Sequence, residues 1–263
     1  MKLVLSSKPK ESIYTSSDVF TVPDSVDSIE VFCVGGGGPG GEGWWHSETS
    51  NYGNGGGSGY TTTGTIDTSS NKTISIAIGV GGQYYYNSGW VARSAGTSSA
   101  GSISAKGGSG GEWANGGSAG GNGQLYSDQR TDNGNGPIKY EWATNGASDG
   151  NSTSYHWWDA YWNVGYDGDK ELGKGQGTTT RAFGEQNGTL YAGGGGGGWS
   201  TGEYGTGYGG DGGGGNGAKQ YSNPTQGNAG TGGGGGGGCG WKITGDTRNY
   251  GADGGSGCVI IRW

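Results

Sequence analysis

Glycine comes in runs, and within several of them it returns at every third position. The runs span 35–43, 53–59, 107–123, 193–198, 205–217, 230–240 and 251–257. Gly108, Gly111, Gly117, Gly120 and Gly123 share one phase, with Ala114 filling the gap, and Gly251, Gly254 and Gly257 repeat it near the end. Three residues per turn is the polyproline-II period. Such a helix makes no internal hydrogen bonds, so its N–H and C=O groups point outward and need partners when buried. Neighbouring glycine helices supply them, because missing side chains let backbones approach. A non-glycine residue at a third position is therefore expected on the bundle's exterior. Ordering glycine costs more backbone entropy than ordering any other residue. The runs are accordingly expected to pack together under an apolar clamp of bordering aromatics such as Trp113, Trp199, Tyr208 and Trp241. Helices in such a bundle alternate direction, so successive loops emerge at opposite ends and only some share a tip.

Two other architectures are open to a glycine-rich chain. Collagen needs a strict Gly-X-Y repeat with abundant proline, whereas 70 glycines here stand beside only 5 prolines and no such repeat. Disordered low-complexity chains seldom carry large apolar side chains, and this one has 11 Trp and 16 Tyr. It also has strand patterns. Phe20–Pro23 and Ser28–Val34 flank a Pro-Asp turn signal, Gly59–Ile66 follows, and Thr73–Ile78 alternates isoleucines strictly. Ser98–Ala105 alternates more weakly. Thr178–Glu185 and Gly188–Ala192 read as a hairpin around Asn187-Gly188, and Cys258–Trp263 closes the chain. Strands at opposite chain ends suggest a sandwich that pairs its termini. The expected fold is all-β, sandwich-like strands joined to a polyglycine helix bundle, with long aromatic loops and essentially no α-helix. Residues 1–17 read as an arm or attachment segment and 18–263 as one domain, with a long inserted loop at about 124–174.

The net charge of −7 is spread thinly without a basic stripe, which argues against nucleic acid as a partner. No apolar run approaches the roughly 20 residues of a membrane span, so insertion in a membrane is not expected. The opening residues have too short an apolar core for a secretory signal. The surface composition nonetheless looks extracellular, as in a virion component released by lysis or in a mature chain cut from a longer one. Cys33, Cys239 and Cys258 are odd in number and lack metal-type spacing, so they read as buried small hydrophobes. Signals of catalysis are poor. A His-based triad or zinc site would have to use His46 or His156. Asp167-Gly168-Asp169-Lys170-Glu171 reads as a solvated acidic turn, without the ligand spacing of a calcium loop. The expectation is a non-enzyme with no cofactor and no metal.

Binding has a better candidate. Tyr155, His156, Trp157, Trp158, Asp159, Tyr161 and Trp162 crowd into the longest stretch without a glycine run. Trp and Tyr suit stacking on sugars or filling receptor pockets, and Asp159, Asn151 and Asn163 can bond hydroxyls. The competing reading is a small aromatic core that holds the long loop together. Trp44 and Trp45, and Tyr84, Tyr85 and Tyr86 with Trp90, are smaller candidates of the same kind.

Phe20-Thr21-Val22-Pro23, Ser28-Ile29-Glu30-Val31 and the Gly35–Gly38 run resemble the opening of glycine-rich phage tail proteins. Gly175–Glu185, Leu190–Gly193, Gly96–Ser99 and Gly254–Trp263 resemble the same group, so the likeness covers nearly all of the chain after residue 18. It is similar to the polyglycine bundle of long-tail-fibre tip adhesins and to the extracellular glycine-rich domain of anaplastic lymphoma kinase receptors. In the adhesins, variable loops between glycine helices project at a tip and contact a host receptor. The resemblance thus implies a non-catalytic adhesin at the virion surface, binding a host cell-surface glycan or outer-surface protein. It also implies a tail-fibre partner, or self-association as in a trimer. One departure is that the adhesins carry a separate attachment domain, where this chain has only about 17 residues before its first strand. The alternatives are a self-assembling fibre subunit or virion decoration protein, an ice-binding protein and a glycan hydrolase.

Overall fold

A computed structural model describes residues 9–46, 49–51, 53–86, 90–92, 94–110, 125–128, 138–141, 152–155, 157–159, 170–174, 180–198, 207–219, 222–239 and 248–263. Eight strands form two four-stranded antiparallel sheets: β1 (Glu11–Tyr14), β2 (Asp18–Thr21), β3 (Ser28–Val34), β4 (Thr61–Asp67), β5 (Thr73–Ala77), β6 (Ser98–Ala100), β7 (Ile103–Ala105) and β8 (Cys258–Arg262). One sheet runs β1-β8-β3-β4 and the other β7-β6-β5-β2. The alternation of the sequence decides which residues meet between them. Ile29, Val31 and Cys33 of β3 and Val259 and Ile261 of β8 face Phe20, Ile74, Ile76, Ala100 and Ala105 of the second sheet. The registers Ile261↔Val31 and Val259↔Cys33 put the four central residues in two cross-strand pairs.

The apolar run Val31-Phe32-Cys33-Val34 has no polar alternation, because the first sheet is covered on both faces. Phe32, Val34, Cys258 and Ile260 point away from the sandwich core and pack under Ala182, Tyr191 and Ala192. The cover is the segment expected to be a hairpin. It is tied by the bridge Arg181↔Leu190 and by Ala182–Gly184 in 3₁₀ conformation, rather than by two full strands. Phe183 takes a positive φ of 56° there. Its ring is held between Phe32, at 5.8 Å between centroids, and the Arg262 guanidinium, 3.8 Å from the ring centroid. Ser98–Ala105 is likewise two short strands, turned at Gly101 with φ of 52°. Residues 11–14, inside the segment read as an arm, form β1, which pairs along β8.

Glycine runs carry the chain out of this sandwich and back. Leaving runs start directly after a strand, the cover or a tight turn: 35–43, 79–82, 107–110, 193–198, 214–219 and 232–239. Returning runs are 53–59, 94–96, 207–210, 225–228 and 251–257. The hydrogen bonds have the threefold phase anticipated. In 232–239, Gly234 and Gly237 donate to Gly193 and Gly196, and Gly235 and Gly238 donate to Gly38 and Gly41. Gly236 donates to Thr225. The carbonyls of Gly232, Gly235 and Gly238 accept from Gly59, Gly56 and Gly53, those of Gly233 and Gly236 from Gly255 and Ala252, and those of Gly234 and Gly237 from Gly215 and Ala218. Rising numbers against rising numbers mark parallel neighbours, and rising against falling mark antiparallel ones. This central run therefore bonds to six others, three by donation and three by acceptance, which is what a threefold helix with outward-pointing amides can do when fully buried.

Two expectations about the runs need correction. Tyr208, Val80 and Asn216 do lie on the exterior, but Pro39, Ser58 and Ala218 are buried inside the bundle. Proline already has the required φ and offers no N–H to strand, and Ser58 donates its hydroxyl to the Gly59 carbonyl at 3.0 Å. The aromatic clamp fails at Tyr208, which is 53% exposed with Lys219 over its ring. Its backbone already fills a bundle position, so the side chain can only leave outward. Trp113, Trp199 and Trp241 lie outside the described residues. The runs are instead anchored at one end by the sandwich strands that continue them.

Candidate functional site

The described runs lead away from the sandwich or back to it, so their near ends are used up by strands, the cover and two tight turns. Gly212 and Gly213 make one of those turns, at φ of 93° and 100°. The described strands of the three connections that carry the aromatic clusters (within 43–52, 83–93 and 111–179) consequently lie at the far end. Run direction does alternate, as anticipated. The inference that only some of these loops can share a tip does not hold, because the opposite tip belongs to the sandwich.

At the far end a six-stranded antiparallel sheet is assembled from separate excursions, in the order Trp157–Asp159, Ile138–Glu141, Leu125–Asp128, Thr49–Asn51, Gly43–His46, Arg248–Asn249. Gly43–His46 and Arg248–Asn249 extend glycine runs 35–43 and 251–257, which seats the sheet on the bundle. The register aligns Trp45 with Ser50, Ser50 with Tyr126, Tyr126 with Tyr140 and Tyr140 with Trp158. Trp44, Asn51, Leu125, Glu141 and Trp157 make the adjoining row. Residues opposite each other across an antiparallel sheet share a face, and adjacent rows take opposite faces.

Of the residues singled out in the sequence, Trp44, Trp45, Trp157, Trp158 and Asp159 thus meet in one sheet. Tyr155 lies beside it in the chain, in the two-stranded pair Ser152–Tyr155 with Lys170–Lys174. Tyr84, Tyr85, Tyr86 and Trp90 form a hairpin of their own, with Tyr86 opposite Trp90. That hairpin is fixed to the returning run 251–257: the Tyr84 amide donates to the Asp253 carboxylate at 3.0 Å, and the Tyr84 and Tyr250 rings lie 6.0 Å apart. His156, Tyr161 and Trp162 lie outside the described residues, as do Asn151 and Asn163. Tyr126 and Tyr140 were missed by sequence reasoning. Each is a lone tyrosine in a short, weakly patterned segment, and only pairing across the chain gives them company.

The fold beneath is a glycine-run scaffold, all-β, with the described aromatic strands of the connecting loops at one pole. The family model of the glycine-rich domain matches residues 14–263. The chain belongs to the glycine-rich domain family. No curated protein matches the chain. Among the described residues of this glycine-rich domain, no three His, Cys, Asp or Glu side chains group as metal ligands, and no helix is long and apolar enough to cross a membrane.

The other pole of the glycine-rich domain is a charge-locked seam. Lys10 and Trp263 exchange backbone hydrogen bonds, so the described start of the chain and its last residue lie side by side. Arg262 donates from Nε to Glu11 at 2.9 Å and from its terminal nitrogens to Glu185, at 2.5 and 3.2 Å. One guanidinium so joins β1, β8 and the cover, and its hydrogen bonds hold the Glu185 carboxyl below the usual carboxylate range. Burial pushes the thiols of Cys33 and Cys258 up to about 12, which makes them poor nucleophiles at neutral pH.

Proposed function

We propose that this glycine-rich domain is a non-catalytic receptor-binding adhesin of a tailed-phage virion, recognising a host cell-surface glycan or protein through its far-end aromatic loops. The observation that carries the reading is the convergence of three aromatic clusters at the pole opposite the paired residues Lys10 and Trp263. Summing the five-residue strand β8 and the seven-residue run 251–257, about 39 Å separates Trp263 from the far-end sheet. Attachment to a tail fibre, or to further copies as in a trimer, belongs at the sandwich pole, leaving the aromatic pole free at the virion surface. Aromatic side chains bring large contact area at low entropy cost, and several copies on one particle multiply modest affinity.

The test is direct. Fluorescently labelled protein is expected to label a subset of bacterial strains in a panel, and the variant Trp157→Ala/Trp158→Ala/Trp162→Ala to lose that labelling with its thermal midpoint unchanged. Labelling of no strain, together with long filaments in electron micrographs, would instead establish the fibre-subunit alternative. Retained labelling by the triple variant would move the site to another loop.

A further inference from the structure

The far-end sheet has two chemically unlike faces. One carries Trp44, Leu125 and Trp157 among Arg248, Lys139, Glu141 and Asp159. The other carries the row Trp45, Ser50, Tyr126, Tyr140, Trp158, and Asp128 is the only formally charged residue on that face among the described strands. Four aromatic residues thus share one row of the register across five strands drawn from residues more than a hundred positions apart.

We propose that this row is a platform for an uncharged glycan chain; the inference rests on the receptor-binding reading above. Strands are about 4.8 Å apart, so the row is about 19 Å long and its ring positions recur on the scale of one pyranose. A polymer with a repeating C–H face can lie along such a line, each sugar stacked on a ring and each hydroxyl edge turned toward solvent or toward Ser50. A protein partner would call for a central pocket with a charged rim, and the row offers a line instead. An acidic glycan or a nucleic acid would call for basic residues. This face has none, and the whole chain carries −7. The gap at Ser50 divides the row into Trp45 on one side and Tyr126, Tyr140 and Trp158 on the other, so the longer part is expected to hold the tighter sugars.

The experiment uses the full chain and a strain that it labels. Surface polysaccharide from that strain is separated by charge, and each fraction is used to compete with labelling. Competition is expected from the neutral fraction, unchanged between about 0.05 and 0.5 M salt because no ion pair is involved. Tyr126→Ala/Tyr140→Ala is expected to weaken it at least tenfold, and Ser50→Arg, which keeps every ring but places bulk and charge on the row, to abolish it. Both variants should melt with the wild type, and Lys139→Ala/Glu141→Ala on the other face should bind as wild type. Competition by the acidic fraction alone, or by neither fraction while cells are still labelled, overturns the proposal and leaves the adhesin reading standing. A large fall in thermal midpoint for Ser50→Arg overturns it too, since the row would then be packed inward as a core. If no strain is labelled, it is the adhesin reading that fails.

Discussion

The sandwich and the bundle are built from the same chain by opposite rules. In the sandwich, side chains fill the space and the backbone bonds follow; Ile74 and Ile76 are placed by alternation and β5 is dragged with them. In the bundle, the backbone fills the space and side chains are excluded. A Cβ added at Gly234 would fall onto the carbonyl of Gly56, and one at Gly37 onto that of Gly233. The sandwich can therefore absorb an apolar substitution by shifting rotamers, whereas the bundle has no rotamers to shift. Neither region answers the entropy problem of ordered glycine alone. The sandwich fixes both ends of the 35–43 and 53–59 pair through β3 and β4, and this lowers the loop-closure cost of aligning them.

The sharpest way to break that contrast is a single methyl group. Gly234→Ala must displace backbone in a run bonded on six sides, with an expected loss on the order of 4 kcal/mol or more and little soluble protein. Gly64→Ala in β4 meets only the tip of Ile103, a flexible side chain, and is expected to cost less than about 1.5 kcal/mol. Chemical denaturation of both variants checks the pair, and equal losses would mean that the bundle is softer than its geometry. Next in size, Phe32→Ala empties the space under the cover, where Phe183 and Tyr191 lie 5.8 and 5.5 Å from its ring. Its expected cost is about 3–5 kcal/mol. The cysteines report which region yields first, since Cys33 and Cys258 sit in the sandwich and Cys239 in the bundle, all buried. If the shared hydrogen bonds make one cooperative unit, all three thiols should react with a thiol reagent at one common rate, set by global opening. Earlier labelling of Cys239 would show the bundle opening by itself.

What was legible in the sequence follows the same division. Ser28–Val34, Thr73–Ala77 and Cys258–Arg262 announce themselves because side chains choose their faces. The strand Glu11–Tyr14 does not, since Ser12 and an exposed Ile13 give no amphipathic period and its place is set by pairing with β8. The glycine period reveals threefold helices, but a residue without a side chain says nothing about which neighbour it will meet. That choice is made by the strand at the end of each run, so the common pole of the loops was out of reach. Pro39 and Tyr208 show the limit from both sides: one buried because it imitates glycine's helix, the other exposed because only its backbone fits. Trp45 and Trp158 could be picked out as aromatics in clusters, and their alignment with Tyr126 and Tyr140 could not.

The smallest expected effect lies in the seam at the sandwich pole, where the cover is held by charge as well as by packing. Glu185 accepts from Arg262 and is itself exposed, and its carboxyl titrates below the ordinary value of 4.5. Because the folded value is depressed, its contribution is fully present above the unfolded value and is lost as pH falls through the folded one. Asp67 is lowered as well, by its bonds to Ser69 at the end of β4, so acid weakens the wild type through more than one group. The comparison that isolates the seam is wild type against Glu185→Gln. The thermal midpoint of the wild type should fall more steeply between about pH 6 and pH 3, and the two should converge at the acid end. Added salt should narrow the difference at neutral pH, as it does for exposed pairs. Parallel pH profiles would mean that Phe183 and Tyr191 hold the cover unaided, by packing against Phe32 without help from the Arg262–Glu185 pair.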